Sequence, residues 1–201
     1  MSVDCGMKSL AHDKKDLQVR ALNAENLDLG YILSQKLLGE TSFTSDGTFT
    51  IDKSTSLGIT GVLHNLKISN FGFKGYVYKN ILLSTVRLED SRVDGTIKID
   101  DRALSLASQG ALSVDWSDRT APCYRGTLRI DNINLARMNI DNSHKISVIT
   151  GTGITKPMTV DLNVRGRTFD DMNGSLKVRN LKYGTMAANC TVESMVVDIS
   201  R

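Results

Sequence analysis

The chain has 201 residues, with 25 Lys and Arg against 22 Asp and Glu, and 40% of its residues are hydrophobic. A formal net charge of +3 gives no argument for nucleic acid or an anionic membrane surface as partner, and the apolar fraction suffices for a core. Thr, Ile and Val together number 45, whereas Glu numbers 4 and Ala 10, so strand formers abound, helix formers are scarce, and a helical bundle is excluded.

From the N-terminus, Met1 to Lys15 shows no apolar stretch followed by a small-residue cleavage site, so no secretion signal is read there. Residues 1–16 are read as a disordered or partial N-terminal segment, and 17–201 as one repeating β segment of a longer protein. Leu17-Gln18-Val19 and Leu66-Lys67-Ile68 alternate apolar and polar residues, the period of a half-buried strand. Between them, Ile32, Leu33, Lys36 and Leu37 fall at helical spacing, which predicts a short helix over 29–38, capped by Asp28 and ended by Gly39. No stretch reaches the roughly 18 apolar residues of a membrane-spanning helix.

A heptapeptide then recurs four times, beginning at Gly47, Gly95, Gly126 and Gly174, with starts separated by 48, 31 and 48 residues. Its pattern is Gly, a hydroxyl residue, then apolar, polar, apolar, polar. Each copy predicts a strand with one apolar face, carried by Phe49 and Ile51, Ile97 and Ile99, Leu128 and Ile130, and Leu176 and Val178. Val160, Leu162 and Val164 alternate in the same way. Breakers at Asp46-Gly47, Asp94-Gly95, Thr152-Gly153 and Asn173-Gly174 predict tight turns. The expectation is an all-β chain, an elongated curved antiparallel sheet of about 12 to 15 short strands that grows by adding hairpins. With only 5% aromatic residues, its apolar face is filled by Ile, Leu and Val, which suits acyl chains better than sugars.

The stretch Phe71-Gly72-Phe73-Lys74-Gly75-Tyr76-Val77-Tyr78-Lys79-Asn80-Ile81-Leu82-Leu83 resembles a segment of the long TamB/AsmA-like proteins of Gram-negative envelopes. The likeness continues through Asp94 to Asp101, Gly110 to Asp115, Asn132 to Ile140 and Asp170 to Leu176, and begins upstream at Leu27 to Leu33. The resemblance implies an open β-trough, hydrophobic inside, in the periplasmic part of a protein anchored in the inner membrane. It implies phospholipid or other acyl chains as cargo, or outer-membrane protein strands shielded during assembly. It also implies contact with an outer-membrane β-barrel through a C-terminal region which, like the anchor, is not read in these 201 residues and is expected elsewhere in a longer protein. The eleven apolar residues just named, Phe49 through Val178, are then the lipid-groove candidates.

Catalytic and metal chemistry finds little support. Asp100-Asp101 and Asp170-Asp171 are read as turn residues, because neighbours on a strand point to opposite faces and cannot converge on one atom. His12, His64 and His144 lack zinc-site spacing, Cys5, Cys123 and Cys190 form no CxxC, and no GxSxG, GxGxxG or phosphate-binding loop occurs. Tyr76 and Tyr78 are read as a packing pair. No enzyme activity, cofactor or metal is expected. The competing architecture is a closed β-sandwich or β-solenoid without a lipid groove, in which the apolar faces of two sheets meet.

Overall fold

A computed structural model of the chain describes residues 2–7, 14–32, 36–52, 59–118, 120–138, 146–153, 156–167, 171–185 and 189–200. The elements, in order, are β1 (Ser2–Met7), β2 (Lys14–Asp28), α1 (Leu29–Ile32), β3 (Leu38–Asp52), β4 (Ile59–Phe73), β5 (Tyr76–Tyr78), β6 (Ile81–Glu89) and β7 (Arg92–Asp100). They continue with β8 (Leu104–Ser108), β9 (Leu112–Asp115), β10 (Cys123–Asn134), β11 (Ile146–Gly151), β12 (Met158–Arg165), β13 (Asn173–Thr185) and β14 (Asn189–Ile199). Among the described residues, the fourteen strands join one sheet, and every pairing is antiparallel.

Three pairs of strands share a position in the sheet. β5 and β6 both follow β4, β8 and β9 both lie between β7 and β10, and β11 and β12 both lie between β10 and β13. Taking each such pair as one broken strand, the sheet is a plain meander, each position pairing with the next in sequence. Among the described residues, β1 pairs only with β2 and β14 only with β13. The predicted all-β meander is therefore the fold, and the first six residues of each of the four heptapeptides lie within a strand: β3, β7, β10 and β13.

The breaks and bulges line up across the sheet. One line runs through the register shift beside Ser45 in β3, Asn65 in β4, Thr85 in β6 and the gap between β8 and β9, where Gly110 has φ +85°. Another runs through Asn80, the shift at Asp131 in β10, the gap between β11 and β12, and Asn180 in β13. Asn65, Thr85, Asn80 and Asn180 all take left-handed φ, between 49° and 56°. Each such residue inserts an extra step, so apolar side chains stay on one face with a spacing of three across the irregularity. Leu63 and Leu66, Tyr78 and Ile81, Leu83 and Val86, and Val178 and Leu181 are examples.

The structure refines three sequence expectations. The short helix expected near 29–38 is present as α1, Leu29–Ile32, with no buried residue, and by Leu38 the chain has entered β3. Asp28 caps it as expected, its Oδ1 accepting from the Tyr31 N–H at 2.9 Å. Residues 33–35 lie outside the described residues, and Gly39 belongs to β3, where it faces Gly72: a Cβ on Gly72 would stand 2.9 Å from the Gly39 Cα. Secondly, Asp46-Gly47, Asp94-Gly95 and Asn173-Gly174 lie in strands and do not form tight turns. Gly174, at φ +138°, is needed because a Cβ there would collide with the Asn163 carbonyl oxygen. A two-residue hairpin turn falls instead at Lys74-Gly75, both with positive φ as a type I′ turn requires. Finally, the sheet begins upstream of residue 17: residues 2–7 form β1, and β2 starts at Lys14.

Candidate functional site

The eleven groove candidates lie on one face of the sheet. One ladder row runs Phe49, Gly61, Leu88, Val93, Val114, Tyr124, Val164, Gly174, Ile199, from β3 to β14. Eight steps of about 4.8 Å make it roughly 38 Å long. A second row runs Ala24, Phe43, Ile68, Ile81, Ile99, Leu106, Ile130, Met158. Val93 and Ile99 are six residues apart on β7, so the rows share a face. Ile51 and Ile97 stand two residues from members of these rows. Leu128, Val160 and Val178 align with Met195, and Leu162 and Leu176 with Val197.

The face is not evenly covered. Ile99, Ile130, Val160, Val164 and Val178 are buried, Ile130 keeping 6% of its surface, whereas Ile51 keeps 37%. Buried residues form two clusters, one around Ile130, Met158, Val160 and Val178, the other around Tyr78, Ile81 and Ile99. Each draws on adjacent strands, and the two meet at Leu106. Ile68, Ile81, Leu106 and Met158, which fill the second row, were not among the groove candidates. Ile68, Leu106 and Met158 alternate with Leu66, Leu104 and Val160, so their side was legible, whereas Ile81 follows Tyr78 at a spacing of three that strict alternation overlooks.

The opposite face is polar and basic. Lys67, Lys98, Arg129 and Arg179 share one row. Arg129 pairs with Asp131 at 3.0 Å and Arg179 with Asp161 at 2.7 Å, and Asp161 also accepts from the Thr127 hydroxyl. These half-exposed pairs contribute little stability each.

At one margin of the apolar face, Tyr76 and Tyr78 pack edge to face with ring centroids 4.8 Å apart, and Phe71 lies 6.5 Å from Tyr78. The Tyr76 hydroxyl donates to Asp101 at 2.7 Å, and the backbone N–H groups of Lys79 and Ala103 donate to the same carboxylate. Burial pushes the Asp101 carboxyl up, but these hydrogen bonds, with one from Leu104, outweigh it and hold its pKa below the ordinary carboxylate value. Burial, followed by the bond to Asp101, pushes the Tyr76 phenol up. The arrangement clasps the turn between β7 and β8 to the β5 strand. Asp101 and Asp171, whose Oδ1 accepts from the Arg167 N–H, thus take the turn role expected of them. Asp170, His12 and His144 lie outside the described residues.

Among the described residues, no three His, Cys, Asp or Glu side chains gather as metal ligands. Cys123 is buried and Cys190 exposed, both as free thiols. A cleft of about 570 Å³ opens beside Leu37, Leu38, Phe73 and Val77, and none of the eleven candidates lines it. Comparison with known families, with curated proteins and with solved structures finds no match to this chain.

Proposed function

We propose that the chain is a non-catalytic segment of an intermembrane bridge, similar to TamB/AsmA-like envelope proteins, whose apolar face carries phospholipid acyl chains. The observation that carries this reading is the in-register apolar row from Phe49 to Ile199, crossing nine strands on one face. Branched aliphatic side chains dominate the face, and an acyl chain meets there the surface it would meet among other acyl chains. The aligned bulges support a trough, because bulges bend strands and, placed level in successive strands, bend a sheet along a line. Shielding outer-membrane protein strands is the other use of such a face. The periplasmic setting belongs to the same proposal.

The test is photo-crosslinking in cells, with the reactive residue at Ile99 and, separately, at its outward neighbour Lys98. Phospholipid captured at Ile99 and not at Lys98 is the expected result. Capture at neither position would leave a closed structural module as the better account. That second reading draws on the burial of Ile130, Val160, Val164 and Val178, each exposing less than a tenth of its surface. A sheet bent toward its apolar face would give the same burial without a second layer.

A further inference from the structure

The strand ends of a meander form two rims, and here they differ in chemistry. One rim carries α1, the turns at 36–37 and 74–75, and the connections at 101–103 and 135–138. Its described connecting residues include the exposed cations Lys36, Lys74, Arg102 and Arg137 against Asp101. Among the described connecting residues of the opposite rim, at 90–91, 116–118, 120–122, 166–167 and 171–172, stand Asp90, Asp118 and Asp171 against Arg167. Large exposed apolar side chains collect on the first rim. Tyr31 keeps 85% of its surface, and Ile32, Leu37 and Val77 about half. The Lys74 N–H donates to the Leu37 carbonyl at 2.8 Å, which holds the two turns together. The cleft of about 570 Å³ lies between them, lined by Lys36, Leu37, Val77 and Lys79.

We propose that this rim docks on an anionic lipid surface, with Tyr31, Ile32, Leu37 and Val77 entering the headgroup layer and Lys36, Lys74 and Lys79 meeting the phosphates. Scattered apolar side chains on a surface are ordinary; a cluster ringed by lysines, with an exposed tyrosine, has the chemistry of a membrane boundary. The net charge of +3 is a sum over the whole chain and says nothing of this difference between the rims. The proposal rests on the rim alone and stands whether or not the apolar face holds acyl chains.

Flotation of the whole chain with vesicles of phosphatidylcholine, with and without phosphatidylglycerol, tests it. Binding is expected only with the anionic lipid, weakening as salt rises. Each of K36Q and K74Q should lower partitioning about five-fold, from the attraction of one lysine to an anionic surface. The double variant I32D/L37D should lower it more than about ten-fold. All four residues are exposed, so these variants keep the fold. Trp116, the one tryptophan, lies on the opposite rim and should keep its emission, whereas a Y31W/W116F variant should shift to the blue on anionic vesicles. Absence of flotation, equal flotation with both lipids, lysine variants that bind unchanged, or a shift at Trp116 instead would overturn the proposal. So would loss of binding in V196D, on the far edge strand, with the rim variants unaffected.

Discussion

Replacing Ile130 by Ala tests whether the apolar face is covered by side chains of its own sheet or sealed beneath a second layer. Ile130 lies in the cluster with Met158, Val160 and Val178 and keeps 6% of its surface. The substitution removes three carbons, each contributing about 0.8 kcal/mol when buried, so the transfer term is about 2.3 kcal/mol. Ile51 loses the same carbons but is 37% exposed, which reduces its cost to about 1.5 kcal/mol. Where neighbours can relax over an open face, no cavity remains and these figures are the whole effect. A rigid second layer would hold the vacated space open, and some 60–80 Å³ of cavity adds about 1.5 to 2 kcal/mol. Urea denaturation of wild type, I130A and I51A, extrapolated at constant slope, reads the differences directly. Losses near 2.3 and 1.5 kcal/mol support an open face. A loss of 4 kcal/mol or more at Ile130, with Ile51 unchanged from its transfer value, refutes the reasoning and favours a closed module.

Three other predictions follow from local geometry. Because the Asp101 carboxyl titrates lower in the folded chain, its contribution is present above the unfolded value of about 3.9 and is lost as pH falls through the folded value. D101N should cost about 1 to 2 kcal/mol at neutral pH and flatten the fall of melting temperature between about pH 5 and 3; an unchanged acid profile would remove Asp101 from the account. On β14, which among the described residues pairs only with β13, Met195, Val196 and Val197 are exposed, so the wild-type chain should associate with rising concentration. V196K should suppress this in sedimentation velocity, and a wild-type chain that stays monomeric throughout would count against an open edge. Thr85 holds φ +53°, costly for a β-branched residue, so T85N should raise stability by up to about 1 kcal/mol in thermal melts; destabilisation would mean that the Thr side chain contributes more than the strain it stores.

Much of the candidate face was legible because alternation in a strand is itself the assignment of sides. Ile97 and Ile99, or Val160, Leu162 and Val164, declare their common face whatever lies beside them. Ile81 was not legible by the same rule, since Asn80 shifts the phase by one residue; Ile68, Leu106 and Met158 alternate with Leu66, Leu104 and Val160, and what stayed hidden was the row they share with it. The glycine dipeptides misled for a related reason. Asp94-Gly95 and Asn173-Gly174 have the composition of a hairpin turn, but a glycine also serves where a neighbouring backbone approaches, and only the partner strand reveals which use is made of it. The Tyr76–Asp101 clasp joins residues 25 apart and left no local mark.

By itself the amino-acid order determined the strand-rich character of this chain, the apolar side of its most regular strands and the cap that Asp28 provides. These depend on interactions between residues one to three apart, whose geometry the covalent chain prescribes. Only the tertiary structure decided which strands pair, where the bulges align, how the separate apolar stretches join into rows across the sheet, and which rim gathers the exposed lysines with Tyr31, Ile32, Leu37 and Val77. Those features arise from ladder register, and register is settled by all the cross-strand contacts together rather than by any one segment.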